Sequence, residues 1–292
     1  MSRTLRVQGG VFAVIALCGV AMSVLLPRMS PRFELLVIAV LIAFVGVPHG
    51  ALDTAFARQR FGLHTLRAWV VFSLGYGMLM LIVVALWWTM PVLFLAGFLG
   101  LSALHFSGDP VSGTPGIVRL VQGGAVLVLP AMMHPTELSQ LFGMLVGPGA
   151  AGVVAPVVSA ASIPWACAAI VCIAWMWSRS RQMSCELAAV ATLACVVPPL
   201  LAFAIFFCGM HSARHILRTV TWAQVTDRRL AVGAVVAPML GVACLGTVAW
   251  MVGGDVPLEP KVIQLIFVGL AAVTVPHMLL IEPIRLEGWR DG

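Results

Sequence analysis

The sequence predicts an all-α protein, a polytopic integral membrane bundle of about 8–10 transmembrane helices. Three observations carry this reading. Hydrophobic residues make up 61% of the 292-residue chain and charged residues only 10%, with a mean hydropathy of +1.05, far from the usage of soluble domains. The apolar residues come in runs close to the roughly 20 residues that a spanning helix needs. The basic residues lie between those runs and form no patch interleaved with aromatics, which argues against a nucleic-acid partner despite a net charge of +6.

The first run, Val11 to Leu26, follows Arg3 and Arg6 and has the outline of a secretory signal. It is longer than a signal core of roughly 7–15 residues and no small-x-small cleavage site closes it, so it reads as a span. Further candidates lie near 33–52, 67–89, 91–107, 117–134, 156–177, 185–197, 199–219, 230–252 and 261–281. Pro198-Pro199 divides the long run 185–219, and its first piece reads as a half-span. Between the fifth and sixth candidates, 136–145 is a short amphipathic piece at the outer surface, followed by a Gly/Ala/Pro-rich stretch from Gly147 to Pro156. Gly75, Gly77, Gly97 and Gly100 suggest close helix packing. Seven cysteines without a Cys-x-x-Cys pair suggest neither disulfides nor a thiolate zinc site, and read as small buried hydrophobes. Residues 1–292 are expected to form one membrane-embedded domain.

Orientation follows from the excess of Lys and Arg on cytoplasmic loops. With the amino terminus inside, only Arg28, Arg32 and Lys261 fall outside, and both termini are cytoplasmic in a cell inner (plasma) membrane protein. His49, His105, His211, His215 and His277 then all fall in the inner halves of four segments that run outward to inward. Four helices therefore bring five imidazoles to one depth. His64 lies in a basic inner loop and His134 at the opposite surface, so neither belongs to this layer.

His211 and His215 are four apart and stack on one face of a helix, within reach of one metal ion. The bland reading is a helix end whose Arg214 snorkels toward the headgroups. His49 and Asp53 are also four apart, and Asp53 is suited to accept the ring N–H of a metal-bound imidazole, its own or a neighbour's. The bland reading there is a capped helix end. His105 and Asp109 repeat the spacing, with Pro110 closing the helix; an interfacial histidine is its bland reading. Val275-Pro276-His277 echoes Val47-Pro48-His49. Ionisable groups in a membrane segment are costly and functional by default. No Gly-x-Ser-x-Gly elbow, phosphate-binding loop or His-Glu-x-x-His motif is present. An all-imidazole site suits Fe, Cu, Ni or Zn better than Mg or Ca.

Gly46-Val47-Pro48-His49-Gly50-Ala51-Leu52-Asp53, His105-Phe106 with Asp109, His211-Ser212-Ala213-Arg214-His215 and Pro276-His277-Met278 together resemble the bacteriorhodopsin-related-protein-like β-carotene 15,15′-dioxygenases, membrane enzymes that make retinal. The resemblance implies Fe(2+) held by His49, His105, His211 and His215, and cleavage of β-carotene or a related carotenoid by O2 inside the lipid bilayer. No obligate protein partner is implied. The family's second box has Gly directly after His-Phe, whereas this chain has Ser107 and Gly108 before Asp109. Asp53 is expected to orient a ligand. His277 is expected to line the cavity without ligating, because a fifth imidazole would take a position that dioxygen needs. The alternative class is a transporter or proton-coupled carrier with an intramembrane His/Asp site.

Overall fold

A computed structural model describes residues 3–27, 30–222, 228–252 and 254–286. Among the described residues every regular element is helical. In order these are α1 (Arg3–Leu25), α2 (Pro31–Leu41), a π-helical turn π1 (Ile42–Gly46), α3 (Pro48–Ala51), α4 (Asp53–Phe61), α5 (Leu66–Thr89), α6 (Pro91–Phe106) and α7 (Gly116–Val128). Then come α8 (Pro130–Met133), α9 (Pro135–Val146), α10 (Pro148–Trp177), α11 (Arg181–Val196), α12 (Pro199–Phe206), a second π turn π2 (Phe207–Ser212), α13 (Ala213–Trp222), α14 (Arg228–Val252) and α15 (Leu258–Leu286).

The punctuation is that of the sequence. Pro31, Pro91, Pro135, Pro148 and Pro199 each open a helix, where the missing N–H is no loss. Thr65 and Ser180 cap α5 and α11 through their hydroxyl oxygens, which accept from Ala68 N (3.2 Å) and Met183 N (3.3 Å). Among the described residues six stretches are long and apolar enough to cross a membrane: Arg3–Leu25, Pro31–Arg58, Leu66–Thr89, Pro148–Trp177, Pro199–Thr221 and Leu258–Glu282. Pro91–Phe106, Gly116–Val128 and Met239–Met251 are apolar but shorter. The protein is thus an all-α polytopic membrane bundle.

Three expectations change. The candidate span near 156–177 starts earlier: after Gly147, the Gly/Ala/Pro-rich stretch forms the first turns of α10, which runs 30 residues through Pro156 and Pro164. A Cβ on Gly75, Gly77, Gly97 or Gly100 would meet nothing, so those glycines mark no close packing. Close approach occurs instead at Gly9, where a Cβ would overlap Glu186 on α11, and at Gly46, where it would lie 2.5 Å from the Phe207 ring. Of the seven cysteines, Cys18, Cys167, Cys185 and Cys244 are exposed and only Cys172 is buried. Their small apolar side chains lie on outer faces with many exposed hydrophobics, such as Leu74 at 69% and Leu81 at 64%, as a lipid-facing surface requires.

Hydrophobic burial does little to join helices in lipid, so packing and buried polar contacts carry more of the cohesion. The largest apolar cluster joins Phe12 and Ala16 of α1, Ile38 of α2, Phe106 of α6, Leu193 of α11 and Phe206 of α12. It lies against the histidine-bearing segments through Phe106 and Phe207, whose rings are 4.8 and 5.7 Å from that of His211.

Candidate metal centre

Each of the two π turns is bound to a histidine box. In π1 the Val47 N–H reaches back five residues to the Ile42 carbonyl (2.7 Å). Pro48 follows without an N–H, so the ladder is already one donor short and the wider turn costs little there. The π1 turn leads directly into His49, and π2 contains His211 itself. Such turns re-aim the side chains that follow them. Here they deliver His49 and His211 with ring centroids 5.1 Å apart.

The five imidazoles form a closed circuit. Centroid separations run 4.5 Å from His105 to His211, 5.1 Å to His49, 5.5 Å to His215, 5.1 Å to His277 and 5.1 Å back to His105. One ring nitrogen from each of His49, His105 and His277 lies within 4.8 Å of the other two. His49, His211, His215 and His277 are buried, and His105 is half-buried. The common depth expected from the sequence is therefore a common locus. His134 lies elsewhere, its Nε2 3.2 Å from the Val196 carbonyl.

The carboxylates are paired differently from their spacing. Asp53 does not serve His49, four residues before it; its Oδ1 accepts from His277 Nδ1 at 2.6 Å. Asp109 does not serve His105; its two oxygens lie 2.9 and 3.2 Å from His211 Nδ1. The His49 Nδ1–H donates to the Gly46 carbonyl, with Ser212 Oγ at 3.2 Å. A carboxylate or carbonyl accepts only, so in all three rings Nδ1 carries a proton and Nε2 is the nitrogen left to meet an ion. In His211 and His277 the Nε2 atom is buried and has no hydrogen-bond partner. His215 Nε2 lies 3.3 Å from Thr219 Oγ1.

Behind His211 stands a buried polar framework. Arg214 is 0% exposed, so it does not snorkel. Glu186 of α11 accepts from its NH1 and NH2 at 3.1 and 3.2 Å, and Gln8 of α1 accepts from its Nε at 2.8 Å. Arg214 NH1 also donates to the Asp109 carbonyl (3.0 Å), while Arg218 donates to the Gly108, Asp109 and Pro110 carbonyls at 2.8, 3.1 and 3.3 Å. Two guanidiniums on α13 thus hold the loop that carries Asp109 against the helix that carries His211. Sequence reasoning missed Gln8, Glu186 and Tyr76, which donates to Asp53 Oδ2 at 2.9 Å. Their only signal was the presence of lone polar groups in apolar runs.

Convergent imidazoles, two of them with a buried Nε2 that has no hydrogen-bond partner, fit a first-row transition metal and do not fit the hard cations Mg and Ca, which take oxygen ligands. From this cluster an aromatic path leads away: Phe207 stacks on His211 at 5.7 Å, Phe203 on Phe207 at 5.4 Å, and Phe267 and Phe98 continue at 5.2 and 6.2 Å. It ends in an apolar cavity lined by Leu95, Phe98, Leu127, Phe142, Leu200 and Phe267, among others.

The chain is 28% identical over 264 residues to the beta-carotene 15,15'-dioxygenase of uncultured marine bacterium 66A03, covering 83% of this chain and 90% of the relative. It is 25% identical over 319 residues to the probable beta-carotene 15,15'-dioxygenase Blh of Halobacterium salinarum, covering 94% and 90%. No solved structure matches. The model of the family described as beta-carotene 15,15'-dioxygenase matches residues 40–284, a span that holds all five clustered histidines and both of their carboxylates, and the chain belongs to that family.

Proposed function

We propose that the chain is one membrane-embedded dioxygenase domain, residues 1–292, which cleaves β-carotene or a related carotenoid at its central 15,15′ double bond with O2 to give two retinal molecules. The observation that carries this reading is the circuit of five imidazoles, joined through the stacked Phe207 and Phe203 rings to an apolar cavity. The names of the two relatives support the substrate. His49, His105, His211 and His215 hold Fe(2+), with Asp109 fixing the His211 ring and Asp53 the His277 ring.

Bound iron would supply the binding and activation of O2 beside the polyene. The chain's own residues do the rest. Phe98, Phe203 and Phe267, which line the cavity, give the flat polyene aromatic surface to lie against. The buried setting keeps water from the reacting bond. The substrate dissolves in the bilayer, so entry between helices is physically natural. One C=C bond is replaced by two C=O bonds and both oxygen atoms end in the aldehydes, so no nicotinamide or flavin is required.

The decisive experiment is expression in cells that accumulate β-carotene, with retinal measured by chromatography. Loss of colour with one retinal per half-carotenoid is expected. Unchanged carotenoid, with the protein normally inserted and carrying metal, would remove the substrate assignment, and substrate-dependent flux would favour the carrier class. The proposed orientation, both termini cytoplasmic in the plasma membrane, has its own check. Reporters fused after Gly62 and Gly292 are expected to read cytoplasmic and one after Gly254 external; a cytoplasmic signal at Gly254 would invert the assignment.

A further inference from the structure

We propose that His277 is a fifth ligand of the metal, and that Tyr76 and Asp53 form the device that aims it. The inference rests on the metal reading above but not on the identity of the substrate. It gives His277 a role that the sequence withheld from it.

Four observations meet at this residue. Its Nδ1–H donates to Asp53 Oδ1 at 2.6 Å, a bond that fixes the ring's orientation and leaves the far nitrogen to meet an ion. That nitrogen, Nε2, is buried in a residue only 2% exposed and has no hydrogen-bond partner. Leaving a buried acceptor unmatched costs about 1–3 kcal/mol, so the position calls for an electron-pair acceptor. The His277 ring stands among imidazoles, its centroid 5.3 Å from that of His49, 5.1 Å from that of His105 and 5.1 Å from that of His215. One ring nitrogen of each of His277, His49 and His105 lies within 4.8 Å of the other two, close enough to converge on one ion with bonds of roughly 2 Å.

The aiming device is independent of the ring itself. Asp53 is only 4% exposed. Its second oxygen accepts from the hydroxyl of Tyr76 at 2.9 Å, the single tyrosine in the chain. Tyr76 stands on α5, Asp53 opens α4 and His277 lies in α15, so the relay ties three separate helices to one nitrogen position. Asp109 and His211 repeat the carboxylate–imidazole pattern and leave the same orphaned Nε2. Two rings are thus built alike, one on each side of His105 in the circuit. The objection from dioxygen does not hold, because five imidazoles on an octahedral ion still leave one position open.

The test uses purified, full-length apo-protein titrated with Co(II), whose visible spectrum reports its coordination, alongside Fe(II) binding. Removing a ligand should exceed the roughly 10–100-fold loss typical of groups that only orient ligands. We expect His277→Ala and His277→Gln to weaken Co(II) binding by more than about 100-fold and to change the spectrum of what still binds. Added imidazole should restore both in His277→Ala. Asp53→Asn should fall in the 10–100-fold range and Tyr76→Phe below it, with the wild-type spectrum kept in Tyr76→Phe. Variants that elute and melt like the wild type but bind Co(II) with wild-type affinity and spectrum would overturn the ligand role. A wild-type protein that binds neither metal would overturn the metal reading as well, a result distinct from the first.

Discussion

Single replacements of His49, His105, His211 and His215 by Ala are each expected to abolish retinal formation and to strip most of the iron. An imidazole contributes a directional lone pair at a fixed place, and the four rings, from three segments, stand around the site. Removing one leaves an incomplete donor set and a void that only water can fill. Since outer groups already cost about 10–100-fold when lost, the loss of turnover for a ligand should exceed about 100-fold. His49 and His105 should show the largest metal loss, because a nitrogen of each already faces the other across the site. Iron per chain and retinal formed, measured on one preparation, decide the matter. Full iron in any one variant would take that residue out of the ligand set.

Much of this site was legible because buried imidazoles are rare and expensive in apolar helices. The shared depth of His49, His105, His211, His215 and His277 followed from counting spans and basic loops. The carboxylate pairings did not follow, for a definite reason. Residues four apart share a face only along an unbroken helix. Between His49 and Asp53 the helix is broken: α3 ends at Ala51, and Leu52 has ψ −6° before α4 starts. Between His105 and Asp109 it is broken again, since α6 ends at Phe106. Each carboxylate is therefore turned toward an imidazole on another element, Asp53 toward His277 and Asp109 toward His211. His211 and His215, whose helix continues through π2 into α13, keep the expected alignment, with rings tilted by only 20°. The π turns had no signature beyond Pro48, and Gly46 shows its purpose only once the Phe207 ring lies against it.

Breaking the Arg214–Glu186 pair should give the largest loss of stability in the chain. Arg214 is 0% exposed and Glu186 2%, and Arg214 NH1 and NH2 donate to the two Glu186 oxygens at 3.1 and 3.2 Å. Glu186→Leu leaves the guanidinium buried with Gln8 and the Asp109 carbonyl as its remaining partners, a change that costs about 3–5 kcal/mol in buried pairs. The thermal midpoint in detergent should fall steeply. The double variant Glu186→Leu with Arg214→Met removes both charges and should recover much of that stability, since apolar replacements of buried ion pairs are often neutral or better. Metal affinity should not recover with it. Without Arg214 the Asp109 carbonyl loses its 3.0 Å donor and keeps only Arg218, so Asp109 fixes the His211 ring less well, a defect on the order of 10–100-fold. Glu186→Leu melting like the wild type would show that the pair does not hold α11 to α13. A double variant with wild-type stability and wild-type metal affinity would show that Arg214 acts only through its charge partner and takes no part in aiming His211.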